Sequence, residues 1–208
     1  MKTISKVVIE LLSVFMIIFI FSLSNVMANI VFSDNFNSEN SGVQMDNYDS
    51  FANWDVTRGT VDIITYNSVF NFLGPGTYVD LDGSTWSAGR METITTFNLL
   101  PGDYTLEFVA SGNNRGRPSD TMIVSVGSVY SNALTIEPTE LLIDYQYSFH
   151  VDTATTGKIV FDHQGSDNCG IIIDDVSLTS SQVPIPAAIW LLGSGLIGLV
   201  GLRRKFKK

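Results

Sequence analysis

Cysteine is nearly absent from this chain. The single thiol, Cys169, excludes an intramolecular disulfide, a paired-cysteine redox motif and a Cys-rich zinc site. Histidine is almost as scarce: His150 and His163 are too few for a three-histidine metal centre. Basic side chains are outnumbered, 12 Lys and Arg against 21 Asp and Glu, a formal net charge of −9. A chain so acidic is a poor grip for phosphate backbones, and no nucleic acid partner is expected. What is present is globular material: 208 residues, 45% hydrophobic and 16% charged. That composition excludes a disordered acidic tail and a collagen-like fibre, and the length suits one domain or two.

The chain divides into three regions. Residues 1–28 carry the marks of a secretory signal peptide: Lys2 and Lys6, an apolar stretch over residues 11–23, and small residues around Val26-Met27-Ala28, with cleavage expected after Ala28. Residues 183–208 form a second tail. Residues 185–202 lack any charge, and at about 1.5 Å rise per residue they span roughly 27 Å, enough for a thin hydrocarbon core. Arg203-Arg204-Lys205-Phe206-Lys207-Lys208 follows and predicts a cytoplasmic C-terminus. Between the tails, residues 29–182 hold 5 basic and 20 acidic residues, a net charge of −15. Such a surface repels anionic polymers at low salt unless divalent cations bridge the two.

The C-terminal tail resembles a known sorting signal. Val183-Pro184-Ile185-Pro186-Ala187-Ala188, the apolar run after it and the Arg203-Arg204 end are similar to the PEP-CTERM signal in its variant with a hydrophobic residue between the prolines. The resemblance implies an exosortase-type membrane protease as partner, membrane anchoring before processing, and a final place at the cell surface or in the exopolysaccharide matrix.

The middle region has the periodicity of strands. Val31–Phe36, Trp54–Thr57, Val61–Ile64, Tyr78–Asp82, Tyr104–Val109, Thr121–Val126, Gln146–Val151, Lys158–Asp162 and Ile171–Leu178 are β-rich or alternate apolar with polar residues, with turn signals about every ten residues. Residues 43–52 and 67–76 read as longer loops. The fold expected is an all-β antiparallel sandwich, flanked by the signal peptide and the C-terminal transmembrane sorting helix. Asn53-Trp54-Asp55-Val56-Thr57, Tyr78-Val79-Asp80-Leu81-Asp82-Gly83-Ser84, Gly112-Asn113-Asn114-Arg115-Gly116 and Ile171-Ile172-Ile173-Asp174-Asp175-Val176 occur in the order seen in the galactose-binding-like jelly roll, which this region resembles. That resemblance implies glycan binding without catalysis, or a purely structural or adhesive role.

Four sets of side chains bear on function. The resemblance implies one structural calcium ion between the first and last strands, where Asp34, Glu39, Asp174 and Asp175 are the hard-oxygen ligands on offer. Neighbours in a strand point to opposite faces, so only one of Asp174 and Asp175 can turn its side chain to a given ion. Asp80-Leu81-Asp82-Gly83-Ser84 starts like an EF-hand loop but lacks the later ligands, and reads as a strand entering a turn with two exposed carboxylates. A sugar site pairs a flat aromatic with amides and cations; Trp86, with Asn113, Asn114 and Arg115 of the polar loop, is the candidate glycan face, whereas Trp54 reads as core and Cys169 as buried filler. No motif marks a carboxylate pair or a Ser-His-Asp arrangement, so no catalytic residue is assigned.

Overall fold

The computed structural model describes residues 28–67, 69–165 and 167–181. The signal peptide, with Val183, Pro184, Ile185, Pro186, Arg203, Arg204 and the apolar run between them, falls outside the described residues, apart from Ala28. Among the described residues no helix is long and apolar enough to cross a membrane.

Among the described residues, thirteen strands form in chain order: β1 Ala28–Asp34, β2 Trp54–Arg58, β3 Asp62–Thr65, β4 Thr77–Asp80, β5 Arg90–Thr93, β6 Phe97–Leu99, β7 Gly102–Ser111, β8 Asp120–Val126, β9 Tyr130–Ile136, β10 Ile143–Val151, β11 Thr155–Gly157, β12 Ile159–His163 and β13 Ile172–Ser181. A short 3-10 turn covers Glu39–Gly42. One sheet runs β10-β7-β13-β4-β3, with β1 also paired to β13; the other runs β2-β5-β12-β8-β9; β6 and β11 make a two-stranded ribbon. This is an all-β sandwich of antiparallel sheets, as the alternation predicts.

The two large sheets bury their apolar faces in one core. In β7 Tyr104, Leu106, Phe108 and Ala110 turn inward, while Thr105, Glu107 and Val109 alternate with them. Phe108 of one sheet meets Phe161 of the other edge to face, with ring centroids 5.1 Å apart. Trp54 is buried against Phe161 and Phe36. Cross-strand aromatic pairs, Tyr104 with Phe149 and Phe108 with Tyr145, lock β7 to β10.

The segment around residues 58–60 is a crossover, since β2 and β3 lie in different sheets. Gly59 adopts φ +61°, and a Cβ there would stand 2.1 Å from the Ala88 carbonyl oxygen. Only glycine lets the crossover lie against the β4–β5 loop.

The longer loops are not mere connectors. Phe70 and Leu73 form a second small core with Ile64, Tyr78 and Ile172, and Met45 forms an isolated antiparallel bridge with Ile63. In β13, Ile173 faces the main core, and so do Val176 and Leu178. The inward phase therefore shifts by one residue at Asp174–Asp175, where Asp175 takes φ 49°. This is the behaviour of a β-bulge.

Candidate functional site

The β4–β5 loop carries Trp86. Ser84 donates its hydroxyl to Asp62 Oδ2 at 2.8 Å, and its backbone N–H to Asp62 Oδ1. Thr60 and Thr85 share a hydroxyl hydrogen bond of 2.7 Å. The backbone N–H of Thr60 donates to the Ser87 carbonyl, and that of Gly89 to the Leu81 carbonyl. Anchored on both sides, the loop holds the Trp86 indole out in solvent, 74% exposed. It borders a depression of about 320 Å³ lined also by Arg58, Ser87, Ala88, His163, Gln164 and Gly165.

The polar groups of this depression are oriented by one another. Arg58 donates to the His163 carbonyl at 2.8 Å and pairs with Asp162. Gln164 Nε2 donates to Asp162 Oδ1 at 3.0 Å. The result is a flat aromatic beside a guanidinium and an amide, both oriented by Asp162 behind them, the chemistry that fits the apolar and hydroxyl faces of a sugar. Nothing in the sequence singles out Arg58 or Gln164. Arg58 sits in a turn signal and Gln164 after a strand, where polar residues carry no distinctive pattern.

The other residues of the expected glycan face lie elsewhere. Asn113 is fully buried and donates to the Cys169 carbonyl at 2.6 Å, so it braces the β12–β13 connection rather than meeting a ligand. Arg115 pairs with Asp80 at 3.1 Å, donates to the Asn168 carbonyl and lies over the Phe70 ring, 4.9 Å from its centroid. It lines a separate depression with Asp62 and Ser84. Asn114 takes φ 53° in the turn and does not line the Trp86 depression. The polar loop reads as a partner of Trp86 because both are loop segments, but the Asn113 and Arg115 side chains serve a buried network.

That network also corrects the reading of Asp80 and Asp82 as exposed carboxylates: Asp80 is 0% and Asp82 1% exposed. Asp80 Oδ1 accepts the backbone N–H groups of Asp82 and Gly170. Asp82 Oδ2 accepts those of Asp167 and Asn168. Burial pushes Asp80 up to about 7, against the opposing pull of its hydrogen bonds and Arg115. Burial, with the charges of Asp167 and Asp82, pushes Asp120 up to about 7. Burial pushes His163 down to about 4, helped by the charge of Arg58.

Of the four residues read as calcium ligands, Asp34, Asp174 and Asp175 lie near one another. Glu39 is buried, with one oxygen accepting the Ala52 N–H and the other the Tyr48 hydroxyl. Both Asp34 oxygens are engaged, Oδ1 by the Phe36 N–H and Oδ2 by Asn53 and the Trp54 indole. Asp174 is buried and accepts the Asp175 N–H at 2.7 Å; burial, with the charges of Asp175 and Asp34, pushes it up to about 7. Asp34 and Asp175 border one depression of about 510 Å³, and Asp175 with Ser177 joins it to another of about 440 Å³ that includes Glu107, Asp144 and Gln146. Glu39 is thus turned to Ala52 and Tyr48, while Asp34 and Asp175 stand near enough to Asp174 for their charges to act on it. Among the described residues, no group of three or more His, Cys, Asp or Glu side chains stands as a finished metal site.

No protein-family model and no curated protein matches the chain. Solved structures are similar to it at low identity. The C-terminal family 22 carbohydrate binding module of Clostridium thermocellum Xyn10B is 14% identical, covering 75% of this chain and 96% of that one, with a TM-score of 0.44. The C-terminal CBM6 of LamC, a marine laminarinase from Zobellia galactanivorans, is 12% identical over 66% of this chain and 98% of that one, with a TM-score of 0.41. An exo-beta-1,3-galactanase from Phanerochaete chrysosporium is 14% identical over 65% of this chain, with a TM-score of 0.39, and the match spans only 29% of that enzyme.

Proposed function

We propose that this chain is an exported, non-catalytic carbohydrate-binding protein of the jelly-roll kind, which engages glycan through the depression beside Trp86. The observation that carries the reading is the indole itself. A tryptophan left 74% exposed on a loop braced by these hydrogen bonds is hard to explain by packing. Arg58 and Gln164 line the same depression, both held in place by Asp162. An uncharged glycan fits best, because the net charge of −15 over residues 29–182 opposes an anionic polymer.

Delivery belongs to the same proposal. The tail from Val183 through Pro184, Ile185 and Pro186 to Arg203 and Arg204 supports exosortase-type processing and a place at the cell surface or in the matrix. The test is a glycan array probed with the purified chain and with Trp86→Ala. Saturable binding to defined sugars that the variant loses supports the reading. No binding by the parent chain leaves a structural or adhesive matrix protein, and equal binding by both moves the site away from Trp86.

A further inference from the structure

Buried polar atoms without a partner are rare in folded proteins and call for an unseen water or ion. Three of them converge where the end of β4, the start of β8 and the β12–β13 connection meet: Asp82 Oδ1, Asp167 Oδ1 and His163 Nε2. Asp82 is 1% exposed and His163 0%. The Asp167 N–H donates to Asp82 Oδ2 at 3.0 Å, which ties these two residues together. Asp120 faces both closely enough for their charges to oppose its ionisation. It lies 3.7 Å from His163 Nε2, and its nearest hydrogen-bond donor, Asn113 Nδ2, is 3.4 Å away. Among the described residues no Lys or Arg pairs with Asp82, Asp120 or Asp167; the neighbouring cation, Arg115, is committed to Asp80.

The imidazole helps to define what could compensate this charge. The Gly165 N–H donates to His163 Nδ1 at 3.2 Å, so in the neutral ring the proton sits on Nε2. His163 therefore presents a donor toward Asp120 and no nitrogen lone pair. Only oxygens remain as ligands, which disfavours zinc or copper and suits a hard cation with flexible coordination. The Gly165 position is held small as well, since a Cβ there would stand 2.4 Å from His163 Cε1 and 3.0 Å from Asp120 Oδ1.

We propose that Asp82, Asp120 and Asp167 bind one calcium ion. Asp82 and Asp167 stand near enough to Asp120 for their charges to act on it, and an ion held among the three ties the loop ends together. This site is separate from the Asp34–Asp175 depression and does not depend on glycan binding at Trp86.

The test is thermal unfolding of the full chain, purified in detergent and stripped with EDTA, then titrated with calcium chloride. Free calcium at about 100 times its dissociation constant raises the melting temperature by roughly 5–10 °C in a domain of this size. Asp120→Asn and Asp167→Asn each abolish that shift while still unfolding cooperatively in EDTA, and Asp34→Asn keeps it. A parent chain that melts at the same temperature in calcium and in EDTA overturns the proposal. So does a calcium shift that survives in both Asp120→Asn and Asp167→Asn.

Discussion

Arg115 reaches back 35 residues to place its guanidinium 3.1 Å from the carboxylate of Asp80, a side chain with no solvent contact. Removing one partner of a buried pair costs more than the pair itself contributes, because the remaining charge has no water to turn to. Arg115→Ala is expected to destabilise the domain by roughly 3 kcal/mol, at the low end for such a loss because Asp80 can take up a proton. Adding Asp80→Asn should recover part of it. Urea unfolding of the two single variants and the double variant measures the coupling directly.

Trp86→Ala should leave the fold untouched. An exposed side chain contributes within about 0.5 kcal/mol to stability. Urea midpoints of parent and variant should coincide, even where glycan binding is lost. A large drop in midpoint would mark the indole as structural.

Gly59→Ala tests how the Trp86 loop is seated. The added methyl meets the Ala88 carbonyl, and the backbone stays in the left-handed region. The expected loss is about 2 kcal/mol or more, with weakened glycan binding because β2, the crossover and the loop move together. Chemical unfolding and a binding isotherm on the same sample separate the two effects.

Stability without calcium should fall as pH rises. Asp80, Asp120 and Asp174 are pushed up to about 7 in the folded protein, well above the unfolded value of about 3.9. Between these values the folded state holds protons that the unfolded state has lost, so their stabilising contribution is full below about pH 4 and is lost as pH rises through 7. His163, pushed down to about 4, acts in the opposite sense between about pH 4 and 6.5, where the unfolded chain is the better proton acceptor. Three carboxyls outweigh one imidazole. Urea midpoints in EDTA should decline from pH 5 to pH 8, and a rise over that range would contradict the assignment.

Strands are legible in the sequence where burial is one-sided. β7, β8 and β10 alternate over seven residues or more, and their chemistry shows which residues face the core. β5, β6, β9 and β11 escape that reading. β5 offers only Met91 as an inward apolar residue, and β6 and β11 are three residues long, too short to show a period. Trp86 stands out because a tryptophan among Ser, Thr and Gly has little local reason to be buried. Asp80 and Asp82 mislead for the opposite reason. Apart from the Asp82 N–H, two residues from Asp80, their donors come from residues 115, 167, 168 and 170, so little in the local sequence distinguishes these carboxylates from ones in water.

The extra residue in β13 makes the strand a vernier between two requirements. Before Asp174 its side chains are in phase with β4, and after Asp175 the phase has slipped by one to keep Val176 and Leu178 in the core. Asn or Gly at 175 keeps the φ of 49° and with it the register, whereas deleting the residue would turn both apolar anchors outward. This short segment is therefore sensitive to chain length rather than composition: it counts residues more strictly than it reads them.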